Sequence, residues 1–361
     1  MSTDDPSQVH PSPPAAAPQT IVVQQRESWF GRFGKVLLVL LGLAVMTIFG
    51  LTASYQSYFN EPGGPQEKYH SLNKTALKKI AVIKVSGTIM EGEDFVKKQI
   101  DRVRKDDSVV GVVLRVNSPG GTVTYSDYLL HHLNELVEAK SDGEDRFPLV
   151  VSMGSICASG GYYVSMAVGD EPDTIFAEPT TWTGSIGVII PRYDLTDMID
   201  KLGVEEDSIA SGKFKQMGSP TREMTDAERE LFQELVDETF GRFKEVVYSG
   251  RPDFRDNPEA LDEVATGQIF TAGQAVEKGL VDKIGFIEEA IERVAELAGM
   301  ETDELRCVRY EETQAPLDAL LGASATARMT APRNDLRALL DLSTPRAYYL
   351  CTLLPSLLES R

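Results

Sequence analysis

Short β-branched runs alternate with stretches of helical apolar spacing along most of this chain. Ile80–Val85 (IAVIKV) and Val109–Val116 (VVGVVLRV) are apolar at nearly every position, which predicts strands buried on both faces. Pro148–Met153, Thr174–Phe176 and Ile186–Ile190 predict further strands. Between them, Leu129, Leu130, Leu133, Leu136 and Val137 fall on one face of a helix. A second helix begins at Thr225, where Glu228 three residues on completes a capping box. Leu231, Leu235, Val236, Phe240, Phe243, Val246 and Val247 then carry it to Tyr248. A shorter helix follows Thr271 and stops at Gly279, and another runs from Ile287 to Gly299. Strand–helix alternation on this scale predicts an α/β fold around a largely parallel sheet.

One run breaks the alternation. Val36 to Ala53 carries no charge over 18 residues. At about 1.5 Å per residue it reaches roughly 27 Å, enough to span the hydrocarbon core of a bilayer. Arg26, Arg32 and Lys35 precede it, and no Lys or Arg follows before Lys68. The positive-inside rule therefore puts the N-terminus in the cytoplasm and everything after Ala53 outside it. Trp29 and Phe30 on one flank, Tyr55 and Tyr58 on the other, suit the two interfaces. A cleaved signal peptide would have a shorter apolar core and no such preamble. The expected organisation is a disordered cytoplasmic tail over 1–35, an anchor over 36–53 in contact with lipid, a linker over 54–76, a folded domain over 77–310, and a C-terminal tail over 311–361. That tail is rich in small residues and Pro, with apolar bursts at Leu336–Leu342 and Tyr348–Leu358. It reads as weakly structured, with a docking segment able to fill a subunit groove or a peptide site.

Composition narrows the chemistry. Of 361 residues, 42% are hydrophobic and 25% charged, which is globular composition. Lys and Arg total 36 against 55 Asp and Glu, a net charge of −19. All of it lies beyond Lys35, because residues 1–35 hold three bases and three acids. Such a surface repels phosphate backbones, so no nucleic-acid partner is expected. Cys157, Cys307 and Cys351 make no disulfide framework and no CxxC pair. His10, His70, His131 and His132 lack metal-ligand spacing, since a helix aims two ligands together at i, i+3 or i, i+4. Phosphate-loop and dinucleotide motifs are missing, and no cofactor is expected.

Three glycine-containing turns follow predicted strands: Asn117-Ser118-Pro119-Gly120-Gly121, Ser155-Ile156-Cys157-Ala158-Ser159-Gly160-Gly161-Tyr162-Tyr163, and Thr183-Gly184-Ser185-Ile186-Gly187. Ligands gather outside the carboxyl ends of such strands. A GxSxG elbow is absent, and no histidine is placed to act as base for a serine. Lysine is the chemical alternative, because a desolvated amine can be neutral near pH 7–8. Lowering its pKa from about 10.4 to roughly 8 costs about 3 kcal/mol. Lys213 and Lys215 both qualify. They fall on the same side of what reads as an extended segment, Ser211–Pro220, so spacing does not choose between them.

The ordered strings Ser118-Pro119-Gly120-Gly121, Ala158-Ser159-Gly160-Gly161-Tyr162-Tyr163, Thr183-Gly184-Ser185-Ile186-Gly187-Val188 and Ser211-Gly212-x-x-Lys215 resemble the signal peptide peptidase A family. The likeness runs from Ile80 to Tyr310. The stretch Gly267–Asp282 is also similar to that family and to its Clp protease/crotonase relatives. The resemblance implies a Clp protease/crotonase-like domain of repeated β-β-α units behind a single transmembrane helix, on the periplasmic side of a bacterial inner membrane. It implies a Ser-Lys dyad peptidase acting on hydrophobic peptides such as signal-peptide remnants. Ser159 matches the nucleophile, Lys215 the general base and Ser185 the residue that orients the lysine. Backbone amides of Gly120 or Gly121 and of Gly160 match the oxyanion hole. The family forms rings, octameric in the short form, in which a neighbouring subunit can complete the dyad. Cys157 stands where a Met- or Ala-like residue is common and reads as an apolar wall, with a reactive thiol as the alternative. Tyr162 and Tyr163 read as helix packing, His131 and His132 as a solvated helix surface. Two rival readings share parts of these features. A crotonase-like acyl-CoA hydratase or hydrolase conflicts with an extracytoplasmic location, and a non-catalytic membrane scaffold would bind partners through the tail.

Overall fold

A computed structural model describes residues 29–59, 64–92, 94–143, 145–312 and 347–350. They belong to two units, each with its own internal contacts.

The first unit is the helix α1 (Trp29–Phe59). Its stretch Phe33–Thr52 is long and apolar enough to cross a membrane, and none of it is buried against protein. The hydroxyls of Thr47 and Thr52 donate to the carbonyls of Leu43 and Ile48 at 2.8 and 2.9 Å, so these polar atoms are satisfied within the helix. The helix extends past the expected 36–53 at both ends. The tail 1–28 and the side chains of Trp29, Phe30, Tyr55 and Tyr58 lie outside the described residues.

The second unit opens with β1 (Pro65–Leu72), β2 (Lys78–Ser86), α2 (Phe95–Arg104), β3 (Val109–Ser118), β4 (Gly120–Thr122), α3 (Val123–Lys140), β5 (Leu149–Ala158), α4 (Gly160–Ser165), β6 (Ile175–Ala177), β7 (Trp182–Gly184) and α5 (Thr196–Lys201). It continues with α6 (Asp226–Gly250), α7 (Pro252–Asp256), α8 (Pro258–Val264), β8 (Ile269–Thr271), α9 (Ala272–Glu277), β9 (Lys283–Ile284), α10 (Ile287–Leu297), β10 (Leu305–Glu312) and β11 (Tyr348–Leu350). The main sheet runs β1-β10-β2-β3-β5-β6-β9, with β7 added to β5 and β8 to β7. Its pairs are parallel except β1–β10 and β7–β8. It is a mixed α/β domain with a parallel-dominated sheet.

The apolar runs explain this layering. Val112, Leu114 and Val116 of β3 point into the larger core, with residues of α2, α3, α4 and α6, while Val113 points to the other face against α10. Ile80 and Val82 of β2 and Val150 of β5 share that second face. Strands covered on both sides read as continuous hydrophobic runs, and β2, β3 and β5 do. The expected capping box forms at Thr225 with Glu228, and a second one forms at Thr271 with Gln274.

Three expectations are corrected. Residues 65–72 are not linker but an edge strand on β10. Their polar, half-exposed sequence hides the pairing, and Lys79 fastens it by ion pairs to Glu67 (2.7 Å) and Asp106 (2.9 Å). Ile186–Ile190 is not a strand. The sheet takes Trp182–Gly184 instead, and the apolar run contributes a single bridge at Ile189. Residues 211–219 are not extended but a succession of turns, in which Lys215, Met217 and Ser219 donate to Gly212, Phe214 and Gln216. Gly218 adopts φ 81° there, and among the described residues no strand pairs with the segment. The burst at Leu336–Leu342, Cys351 and the end of the tail lie outside the described residues.

Candidate active site

The carboxyl ends of β3, β5 and β7 converge on Ser159. Register Ala158↔Gly184 brings the end of β5 beside the end of β7, so the next residue on each strand is Ser159 and Ser185. Thr183 Oγ1 donates to the Cys157 carbonyl at 2.6 Å and tightens that pairing. The Ser159 amide donates to the Gly184 carbonyl and its own carbonyl accepts from Tyr163 N, both at 2.8 Å. This double grip holds Ser159 at φ 55°, ψ −113°, a sharp strand-to-helix elbow. Ser185 is also left-handed, at φ 50°. Such backbone costs about 1–3 kcal/mol per residue and persists only where the surroundings impose it. Ser159 is 1% exposed, and its Oγ is buried without a hydrogen-bond partner among the described residues. A buried, unpaired hydroxyl costs about 1–3 kcal/mol, so this atom is held ready at the expense of stability.

Glycines shape the space in front of it. A Cβ on Gly160 would come 2.6 Å from Ser126 Oγ and 3.1 Å from Gly121 N, and one on Gly120 would come 2.7 Å from Gly160 N. The backbones of the first and second glycine turns therefore meet at one point. The Gly120 amide already donates to Ser118 Oγ at 3.1 Å. The amides of Gly121 and Gly160 lie at the same meeting point.

The surroundings confirm two readings of the sequence and revise a third. Tyr162 and Tyr163 are fully buried, with hydroxyls donating to the Leu280 carbonyl (2.9 Å) and Asp127 Oδ1 (2.6 Å). Cys157 is buried, and burial pushes its thiol up to about 12, so it is a wall residue and not a thiolate. His131 and His132 are not merely solvated. Their rings and Glu135 draw within 4.8 Å of one another, Glu135 being the i+4 and i+3 partner, and Arg104 already pairs with that carboxylate at 3.5 Å.

Lys215 is placed differently. It is exposed, as is Lys213, whose Nζ lies 4.8 Å over the ring of Phe214. Neither amine reaches Ser159, whose hydroxyl has no partner. Lys215 rides at the end of an arm whose helix α5 buries no residue. Tyr193, Met198, Leu202, Val204, Ile209 and Phe214 are exposed along it. One chain therefore assembles Ser159, Ser185 and the glycine amides but does not bring Lys215 to them. The apolar burst at Tyr348, expected to fill a groove or a peptide site, lies at this site in its described part: Tyr348–Leu350 forms β11, antiparallel to β4 and next to the glycine turn. The alternation of the tail gave no register for it.

A buried, strained serine at a strand-to-helix elbow beside the glycine turns fits a serine-type peptidase, and comparison with known proteins agrees. Residues 142–301 match peptidase family S49. The chain is 34% identical over 248 residues to a Synechocystis sp. protein provisionally named as a protease, covering 69% of this chain and 84% of that one. It is 36% identical over 227 residues to an Enterococcus faecium protein provisionally named signal peptide peptidase SppA, covering 60% and 62%. Against Protease 4 of Salmonella typhi it is 34% identical over 242 residues, 65% of this chain and 37% of that one. The chain belongs to peptidase family S49, the signal peptide peptidase A group.

Proposed function

We propose that this protein is a membrane-anchored serine endopeptidase in which Ser159 is the nucleophile and Lys215 of a neighbouring copy is the general base. The domain takes the Clp protease/crotonase-like form expected from its motifs. The observation that carries the reading is the elbow: a strained, buried serine whose Oγ has no partner in one chain. The exposed apolar arm supports completion by a second copy, because the described residues leave its side chains uncovered and a second molecule would cover them. In the assembled site, Ser159 Oγ gives its proton to the neutral Lys215 amine and attacks the peptide carbonyl carbon. The amides of Gly121 and Gly160 hold the resulting oxyanion, each such donor being worth about 2.7–4 kcal/mol. Collapse breaks the C–N bond, and the leaving amine takes the proton back from Lys215. Water then enters by the same route and releases the acyl group. Ser185, one residue beyond the β5–β7 register, orients the lysine. The apolar stretch Phe33–Thr52 tethers the domain to the membrane, N-terminus inside, which raises its effective concentration for hydrophobic peptides such as signal-peptide remnants. The family match favours this reading over acyl-CoA chemistry and over a non-catalytic scaffold.

The test is peptidase turnover by the full-length protein in detergent. Ser159→Ala and Lys215→Ala are each expected to lower kcat/KM on the order of 10,000-fold, while Lys213→Ala leaves it within about twofold. Full activity of either first variant would refute the assignment.

A further inference from the structure

A second cluster of chemistry-bearing side chains lies on α3, apart from the elbow of Ser159. His131 and His132 are neighbours in sequence, so their side chains leave the helix axis about 100° apart. Glu135 is the i+4 partner of one and the i+3 partner of the other, so it lies one turn on and between them in angle. Its carboxylate is met from both sides: His131 Nε2 lies 3.4 Å from Oε1, and His132 Nδ1 lies 2.8 Å from Oε2. The three ligand atoms are within 4.8 Å of one another. Two adjacent histidines alone lack metal-ligand spacing, but this carboxylate supplies both spacings at once. A hydrogen bond to Glu135 needs one histidine; the convergence of two on one carboxylate is the arrangement a metal uses.

Packing sets the cluster in place. The His132 ring stands edge-on to Tyr128 with centroids 4.4 Å apart, and Tyr128 stacks on Tyr125 at 5.5 Å. The His132 side chain is only 16% exposed, so its neighbours fix the ring, while His131, 62% exposed, stands on the open side. Two donors bound to one ion at about 2.0–2.2 Å are themselves about 3.0–3.5 Å apart. Both histidine–carboxylate separations lie near that range, so only the two ring nitrogens have to draw together, by turning about their side-chain bonds. The competing cation is Arg104 of α2, 3.5 Å from Glu135 Oε2. It can let go without losing its cover, because it also pairs with Asp101.

We propose that His131, His132 and Glu135 form a surface site for a divalent transition metal of the zinc, nickel or copper class. Two imidazole nitrogens and one carboxylate hold the ion, and water fills its remaining positions. Imidazole donors select these ions over calcium and magnesium, which take oxygen ligands. Arg104 gives up Glu135 when the ion arrives and keeps Asp101. The chain's excess of 55 acids over 36 bases favours the incoming cation. The site stands apart from the peptidase reading, because none of its ligands takes part in the steps assigned to Ser159 and Lys215, so either can fail alone.

The experiment titrates zinc chloride into the full-length protein in detergent and follows the heat released. One saturable site per chain is expected, untouched by about a 100-fold excess of calcium chloride. His131→Ala, His132→Ala and Glu135→Gln are each expected to weaken zinc binding on the order of 10- to 100-fold. His10→Ala and His70→Ala, outside the cluster, are expected to leave it within about twofold. Arg104→Gln is expected to tighten it several-fold, because the guanidinium no longer shares the carboxylate. Copper(II) bound in place of zinc is expected to show two imidazole nitrogens in its electron paramagnetic resonance spectrum. Absence of saturable zinc binding, or binding that survives both histidine variants, overturns the site. Displacement by calcium, or a copper spectrum with fewer than two imidazole nitrogens, overturns it equally. Circular dichroism checks that each variant keeps its helices. If a histidine variant does not fold, Glu135→Gln and the copper spectrum of the wild-type protein decide.

Discussion

The elbow around Ser159 and the arm from residue 189 to 214 differ in what holds them. Strand pairing on β5 and β7, two backbone hydrogen bonds and close-packed glycines fix Ser159 within one chain. The arm has no comparable support: α5 buries nothing, and Ile209 is fully exposed. The arm is tied down at Ile189, which bridges to Tyr348, and where it returns. There Arg192 donates to the carbonyls of Ser219 (3.3 Å) and Arg222 (2.6 Å), and Arg222 pairs with Glu228 at the start of α6. Half of the proposed dyad is thus prepared before assembly, and the other half is carried on a surface that a second copy would cover. The lesson is that strain and burial mark a nucleophile in a single chain, whereas a base supplied by a partner leaves only an apolar surface around it.

The sharpest way to break this comparison is to separate the two halves genetically. Ser159→Ala and Lys215→Ala proteins, each inactive alone, are expected to regain about a quarter of wild-type turnover when co-assembled at equal amounts. A head-to-tail ring then contains intact serine–lysine junctions by chance. No recovery in mixed assemblies would assign Lys215 to its own chain's serine. A smaller effect probes the arm itself. Leu202→Asp is expected to cut turnover on the order of 100-fold and to shift sedimentation toward single copies, while the melting temperature stays put, because surface changes shift stability by about 0.5 kcal/mol or less. Loss of folding in that variant would show that the arm packs on its own domain.

The smallest effect sharpens the contrast from the stable side. Burial alone would raise the Asp106 carboxyl, but hydrogen bonds from Ser108 and Lys79 outweigh it and hold the group down at about 2, against an ordinary 3.8. A carboxyl depressed by folding stabilises above its unfolded value and loses that contribution as pH falls toward 2. Asp106→Asn is expected to cost about 1 kcal/mol at neutral pH, after allowance for solvent screening, and to flatten that part of the acid unfolding curve. Peptidase turnover at neutral pH should not move. Acid curves that superimpose for the two proteins would deny the ion pair any role.

The sequence carried the sheet core and the glycine turns around Ser159, but not the backbone strain there. Runs such as VVGVVLRV are legible because a strand covered on both faces admits almost no polar residue. The capping box at Thr225 is legible because it is local chemistry. β1 escaped notice because an edge strand facing water carries polar residues at most positions. Ile186–Ile190 misled because Ile186 is buried in the core without strand pairing and Ile189 makes only an isolated bridge to Tyr348. The left-handed backbone of Ser159 and Ser185 leaves no compositional trace, since serine is common at any strand end. Choosing Lys215 over Lys213 came from family resemblance alone, and both amines point into solvent in one chain.

The pairing of β1 with β10 has a practical consequence for handling this protein apart from the bilayer. A shortened version that begins at residue 77, where the sequence alone would have drawn the boundary, strips the outermost partner from β10. It would leave a row of bare amides and carbonyls facing solvent, a template for stacking one molecule on the next into precipitate. Cutting between Phe59 and Pro65 instead keeps that flank closed, so the choice of a few residues decides between a usable reagent and an aggregate.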